Sequence, residues 1–548
     1  MRPTVGEILS DHVGLEVRCL DRIYVNGYMP KLQTPGQLVF FLHDHLGRPL
    51  ASPAILGHLG DRFRAEVKQF AEEKQIPLVK FQRGQRKDEI ASVQRRRHSG
   101  EEGVVFLGVA QERCRSFKAQ KGTTPGGHIS FDFSRQSAFI NHYYFYLQDR
   151  DWGPAFVKVG TYAPYPIKLC LNGHEWAKQQ LRREGLGFES LDNGFRSCED
   201  PARLQQLCDQ LGPEAIQAFF ERWSTQLPWP LTPADWEAGF RHQLSLWQVE
   251  LSLTQVFHRP LDGRHFFDQV IRANLDLGRP DRVRLLFDRR MTRSTPPPTY
   301  GYRTRVITSG VDPSLHVEYK HCHVKQYFKE GCALRTETTI NDPTDFGVGK
   351  SLPNLWQLKT LGQTANQRLL EAECLADEGA WDGEELERLQ RPGTFGGHRV
   401  AALRFGDPRT MALMAALGQY KLQTHGFRNR DLRLLVEPLL GRSYTRHQMT
   451  YDLRRLRRRG LIERVEGTHR YLVTPQGLRV AYLFTKLHQR LLKPAWSALL
   501  PAPRVPEKLR RALRTIDRHL EQLMARQRLT PTTQKLDSSG EILRQERC

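Results

Sequence analysis

Asp149, Asp151 and Glu175 are the first residues whose type and order could do chemistry. An acid ends the strand-like segment Tyr143–Asp149, two more strand-like segments follow, and an acid opens the helix-like segment after Asn172-Gly173-His174. Carboxylates brought together from a strand end and a helix start can hold Mg²⁺ for phosphodiester chemistry. Plain readings compete: Asp149-Arg150-Asp151 fits a hairpin turn, and Glu175 stands where the helix dipole favours an acid. A second group is Tyr319-Lys320-His321-Cys322-His323-Val324-Lys325-Gln326-Tyr327, in which two histidines flank one small residue near two tyrosines. Its plain reading is a basic strand-to-turn segment that binds phosphate through Lys320 and Lys325, with Arg335 beside them. In the third group, Ala333–Ile340, strand alternation puts Arg335, Glu337 and Thr339 on one face. Arg335 and Glu337 then form an ion pair, and Glu337 could equally ligate a metal.

The first group resembles the opening of a ribonuclease H-like fold, where acids on the first strand and first helix hold Mg²⁺. The second resembles the His-hydrophobic-His pattern of rolling-circle initiators and relaxases. That resemblance implies that His321 and His323 bind a divalent metal while Tyr327 or Tyr319 attacks a DNA phosphate. Other chemistries lack their motifs. There is no GxxxxGK[ST] loop, Gly347-Val348-Gly349-Lys350 has no strand–GxGxxG–helix setting, and Lys178 stands where a zincin needs its second histidine.

The elements that must position these groups read as mixed α/β. In residues 1–137, Leu15–Val25 is strand-like, Pro35–Leu46 and Pro53–Lys74 are helical, and Ile76–Phe81 and Val104–Ala110 are strands. Residues 115–137 read as an exposed basic loop. A second segment, 138–291, starts with a three-strand meander and turns helical over 200–256, including a long helix across Pro233–Phe257 and another at Arg264–Leu277. A strand-rich basic segment, 300–376, completes the central region and ends in helix Leu355–Ala376. No repeat occurs at a solenoid period.

The chain has 548 residues, 39% hydrophobic and 9% aromatic, which suits several soluble domains. Its formal charge of +22 points to a polyanionic partner. Nine dispersed cysteines without a CxxC pair fit a reducing cytoplasm, and no run is apolar and long enough for a membrane span.

Residues 401–500 carry the clearest functional pattern. Asp407-Pro408 caps a helix, Asn429–Leu439 forms a second, and Ser443–Arg459 a third, closed by Gly460. Leu461–Glu466 and Arg470–Val473 alternate like two strands around Gly467. That order is a winged helix-turn-helix. On its third helix Met449, Leu453 and Leu456 share the core face, and His447, Tyr451, Arg454 and Arg458 lie opposite, flanked by Arg446, Thr450 and Arg457. Such a stripe suits a major groove, with Arg470 placed for a phosphate contact from the wing. A solvated basic helix or a protein-docking winged helix is the alternative. Residues 503–548 hold a helix, Glu507–Arg526, whose apolar face could pair two copies, and a polar tail.

Gly173-His174-Glu175-Trp176-Ala177-Lys178, Ala333–Asp342, Ala402–Pro408 and Tyr451–Leu461 resemble a widespread family of large uncharacterised bacterial proteins over nearly the whole chain. The resemblance implies a bacterial origin and a recurring architecture. The expectation is therefore a cytoplasmic, multidomain α/β (α+β) protein with a C-terminal winged helix that grips duplex DNA, needing no cofactor. Single-stranded nucleic acid and a homodimer partner are further expectations. The alternatives are a Mg²⁺-dependent nucleic-acid-processing enzyme of a mobile element and an RNA-binding protein.

Overall fold

The computed structural model describes residues 11–267 except 83, 99, 101 and 126, then 286–287, 302–309, 312–377 and 383–487, with Leu9 and a few positions after 510. By internal contacts the chain forms two compact units, Met1–Thr485 and Lys486–Cys548. Most of the second unit, including most of the expected helix Glu507–Arg526, lies outside the described residues. No described helix is long and apolar enough to cross a membrane.

The first unit is mixed α/β around one 12-stranded sheet. Its strands are β1 (Val13–Tyr28), β2 (Leu78–Lys80), β3 (Gly103–Thr123), β4 (Ile129–Asp149), β5 (Gly153–Gly160) and β6 (Ile167–Asn172). After the separate hairpin β7 (Phe188–Leu191) and β8 (Gly194–Cys198) come β9 (Gln243–Phe257), β10 (Leu286–Phe287), β11 (Tyr302–Ser309), β12 (Asp312–Tyr319), β13 (Cys322–Lys329) and β14 (Ala333–Ile340). The spatial order is β10-β11-β12-β13-β14-β9-β1-β6-β5-β4-β3-β2. Pairing is parallel at the two edge pairs and antiparallel elsewhere.

This order contains a duplication that no residue period reveals. β1 is followed by a short strand parallel to β3, then an antiparallel run β3–β6 that returns to pair with β1. β9 repeats the plan with β10 and β11–β14, which returns to pair with β9. The two leading strands pair antiparallel at the centre. One sheet thus crosses the expected divisions near 137 and 300. Residue 138 lies within β4, and β9 joins β1 to β14.

Two further expectations are corrected. Residues 115–137 are not a loop but the outer part of the β3–β4 hairpin, where Phe117 and Phe133 bury against Leu38 and Phe41. Pro233–Phe257 is not one helix: helix stops at Glu237, and Gln243–Phe257 is a central strand. Opposite Tyr24 and Val25 the ladder skips Trp247, a bulge that spaces Leu246 and Val249 three apart, as on a helix. Of the expected helix Arg264–Leu277, residues through 267 are helical and the rest lie outside the described residues.

Alternation gives the sheet two unlike faces. Ile23 and Val25 point into a core with Phe63 and Val67 of α1 (Pro53–Glu73) and with residues of two further helices considered below. Each fully buried side chain of this kind contributes about 1.5–3 kcal/mol. Arg22, Tyr24 and Asn26 alternate to the opposite face and keep solvent contact. There α2 (Lys87–Arg97) covers one end, with Ala91 against Phe106, Tyr144 and Tyr146. After β6, Asn172 caps α3 (Gly173–Glu184) through the N–H groups of His174 and Glu175. The core side is completed by Phe219 and Trp223 of α4 (Pro213–Gln226) and by Leu355 and Leu358 of α5 (Leu355–Asp377).

Residues 401–487 pack a smaller core of helices and a hairpin. Asp407 caps α6 (Pro408–Leu417), α7 spans Asn429–Leu440, and a Thr445–Gln448 capping box starts α8 (Arg446–Arg458). Asp431 accepts from the Arg428 N–H at the start of α7, and Asn429 donates to the Thr450 hydroxyl at 3.0 Å. Ile462–Arg464 pairs with Tyr471–Val473 as a short hairpin.

Candidate functional site

The site begins with a bulge at the middle of β1. Leu20 pairs with Leu251 and Ile23 with Val249, so Asp21 and Arg22 together oppose the single residue Glu250 of β9. Glu250 pairs with Thr339 of β14, and Glu337 lies two residues along the same strand. Asp21, Glu250 and Glu337 each offer a carboxylate oxygen within 4.8 Å of the others. Both halves of the duplicated sheet therefore feed one acidic cluster at their junction.

Its three acids stand in unlike fields. Asp21, 2% exposed, accepts from Arg335 and from the Asn193 amide. Burial would raise its carboxyl, but Arg335, His174 and Asn193 together pull it below its usual range. Arg335, 1% exposed, also reaches the Asn193 carbonyl and lies 3.2 Å from His174 Nε2, which contacts Ser252 Oγ at 2.9 Å. Glu250 accepts from Gln248 at 2.7 Å, and burial followed by the charges of Glu337 and Asp21 pushes it up to about 8. Burial and Asp21 also raise Glu337, whose partners are the Tyr327 hydroxyl at 3.3 Å and Arg335 Nε at 3.4 Å. Two adjacent carboxyls whose charged forms are both disfavoured hold a proton or a cation between them. A hard divalent cation with oxygen ligands suits this donor set.

The expected acids go elsewhere. Asp149 is fully buried and accepts from the N–H groups of Asp151 and Trp152, from Arg222 and from Trp223 Nε1 at 2.7 Å. Asp151 pairs with Arg222 and Arg183, each at 2.6 Å. Glu175 pairs with Lys178 at 2.7 Å. Asp149 and Asp151 share a tie to Arg222 while Glu175 belongs to a separate network, so the metal arrangement expected of them is not formed among the described residues.

The two histidines also part company. His321 sits in the turn after β12, 3.2 Å from Asp345, whereas His323 is on β13 with its ring 6.4 Å from that of His316. Tyr327 lies across from Arg335 and bonds Glu337. Lys320 binds the Asp345 carbonyl at 3.1 Å, and Lys325 lies 3.9 Å from the Tyr327 ring centre. Arg335 is not an exposed phosphate ligand, because its guanidinium is sealed against Asp21. Of the expected residues only Glu337 joins the cluster. Asp21 and Glu250 were missed, although each is a charge set inside an apolar strand run, Leu20-Asp21-Arg22-Ile23 and Val249-Glu250-Leu251.

On α8 the expected split of faces is present. Met449, Leu453 and Leu456 are buried, Arg446, His447, Thr450, Tyr451, Arg454 and Arg457 are exposed, and Arg458 is half-buried. Buried Asp452 anchors the helix from beneath through Arg409, Arg455 and the Tyr444 hydroxyl. Arg470 is not free for phosphate: it donates to the carbonyls of His425 and Gly426 and to the Tyr319 hydroxyl at 2.9 Å, tying the hairpin to the sheet.

No family model matches the chain, and comparison with curated proteins and with solved structures also gives no match.

Proposed function

We propose that this protein binds duplex DNA, with α7 and α8 as a helix-turn-helix and the hairpin after α8 as its wing. The observation that carries the reading is the division of α8, whose apolar side is sealed while a stripe of arginine, histidine, threonine and tyrosine faces solvent. A helix so decorated fits a major groove, where arginine can reach base edges and hydroxyls or lysines hold phosphate. The charge of +22 adds long-range attraction. Fluorescence anisotropy with a short labelled duplex tests it. Replacing Arg454 and Arg457 by alanine should each weaken binding by about 1–3 kcal/mol, and affinity should fall steeply with salt. Unchanged affinity in the double variant, or a flat salt response, removes α8 from the interface.

The convergence of Asp21, Glu250 and Glu337 favours a second reading, metal-dependent processing of nucleic acid. The three carboxylates would hold Mg²⁺, which supplies charge stabilisation at a phosphodiester and lowers the pKa of bound water. Labelled single- and double-stranded DNA incubated with Mg²⁺, Mn²⁺ or EDTA and run on denaturing gels provides the test. Metal-dependent cleavage lost in Glu337→Gln supports this reading, and intact DNA under every condition discards it.

A further inference from the structure

The Arg22 side of the sheet centre has a composition that solvation alone does not require. Its core side is a run of aliphatic residues, as expected where an antiparallel sheet packs on helices. The opposite side carries Arg22 and Tyr24 on β1, Lys168 on β6, Trp247 on β9, and Lys325 and Tyr327 on β13. Arg22 is exposed and the other five are half-buried, so each retains surface that solvent reaches. Rings and cations interleave there. Tyr24 meets Trp247 edge-on with centroids 6.1 Å apart, the Lys168 ammonium lies over Trp247, and Lys325 lies over Tyr327. The Trp247 bulge turns this large ring out of the core, into which Leu246 and Val249 point. Helix α2 flanks the surface over β3 and β4, and the β7–β8 hairpin closes on Asp21 and Arg335 through Asn193.

We propose that this sheet face binds single-stranded DNA, with bases stacked on Tyr24, Trp247 and Tyr327 and phosphates held by Arg22, Lys168 and Lys325. Stacking needs bases freed from pairing, so these rings select a single strand over a duplex. The cations suit a backbone that passes ring after ring. Neighbouring acids have partners of their own: Asp21 pairs with Arg335, Glu337 with Arg335 and the Tyr327 hydroxyl, and Glu112 with Lys87 and Lys158. An acidic peptide would satisfy the cations and leave the rings unused. The choice of DNA over RNA rests on the duplex-DNA reading of α8, since a strand opened from that duplex is the supply nearest at hand.

Anisotropy of full-length protein with fluorescein-labelled oligo(dT), oligo(rU) and a short duplex separates the possibilities. Tyr24→Leu with Trp247→Leu should weaken oligo(dT) binding about 10-fold or more and leave the duplex unaffected. Lys168→Gln with Lys325→Gln should lower the oligo(dT) salt slope by about 0.7 per lysine. Arg454→Ala with Arg457→Ala should do the reverse, weakening the duplex and sparing oligo(dT). Absence of saturable oligo(dT) binding, wild-type oligo(dT) affinity in the leucine variant, or tighter binding of oligo(rU) overturns the assignment. Loss of duplex binding alone sinks the reading of α8 and leaves this face assigned. Should the leucine variant fail to fold, photocrosslinking of wild-type protein to oligonucleotide carrying 5-iododeoxyuridine decides. Crosslinks at Tyr24, Trp247 or Tyr327 support the proposal, and crosslinks confined elsewhere overturn it.

Discussion

Replacing Glu250 by glutamine should make the sheet more stable in alkaline solution and change little in mild acid. Burial and the neighbouring carboxylates of Glu337 and Asp21 raise Glu250 from 4.5 to about 8. In the unfolded chain the group loses its proton near its ordinary value, so between about pH 4.5 and 8 the folded state binds more protons. Stability from this group is therefore lost as pH rises through that window. At about 1.4 kcal/mol per unit the full shift corresponds to roughly 5 kcal/mol, and solvent reaching the half-buried side chain reduces this to roughly 2–5 kcal/mol. Glutamine keeps the shape and abolishes the titration. The unfolding midpoint of the E250Q variant, followed by differential scanning calorimetry from pH 5 to 9, should lie nearest wild type at pH 5, exceed it increasingly up to about pH 8, and level off above that. A wild-type-minus-variant difference that stays constant across pH would refute the argument. Adding Mn²⁺ should raise the wild-type midpoint at pH 8 and leave the variant's much less changed, because a cation replaces the missing proton.

Asp21→Ala should destabilise the first unit by about 3–5 kcal/mol, since it strands the buried Arg335 guanidinium; the double change to Asp21→Leu with Arg335→Leu should recover much of that loss in the same unfolding assay. Asp149→Ala removes the partner of Arg222 and Trp223 and should lower the unfolding midpoint while leaving any metal-dependent cleavage rate per folded molecule unchanged, measured after correcting for the folded fraction. If cleavage instead disappears in folded Asp149→Ala, the placement of the metal at Asp21, Glu250 and Glu337 is wrong.

Much of the local structure was legible where periodicity was clean. β1, β14, α1 and α5 lie close to their expected limits: β14 alternates charged residues with threonine and leucine, β1 is mostly apolar between turns, and apolar residues recur at helical spacing in α1 and α5. β9 was hidden because one bulged residue breaks the period of two and leaves a spacing of three. The β3–β4 hairpin was hidden because its outer half carries lysines and arginines on a ribbon with few buried residues. The duplication left no trace in residue spacing: β4 has 21 residues and its counterpart β12 has 8, so no fixed period survives. The site itself was only partly readable. Glu337 stood out beside Arg335, whereas Asp21 and Glu250 meet it only through a strand pairing that spans most of the first unit. Local spacing could expose the solvent stripe of α8, because a single helix generates it, but could not show that Arg470 is spent on backbone carbonyls of another loop.

The central pairing of β1 with β9 also dictates an order of assembly. β1 leaves the ribosome first, yet both of its sheet neighbours come later: β6 after the β3–β5 meander, and β9 after four further helices and the β7–β8 hairpin. Until β9 arrives, the first half presents a 16-residue strand with one open hydrogen-bonding edge and with Asp21 lacking Arg335. Closing so long a loop is slow, and the nascent chain passes through a stage in which it is both adhesive and electrostatically incomplete. An exposed strand edge during synthesis is thus a cost of building one centre from two halves of a single chain.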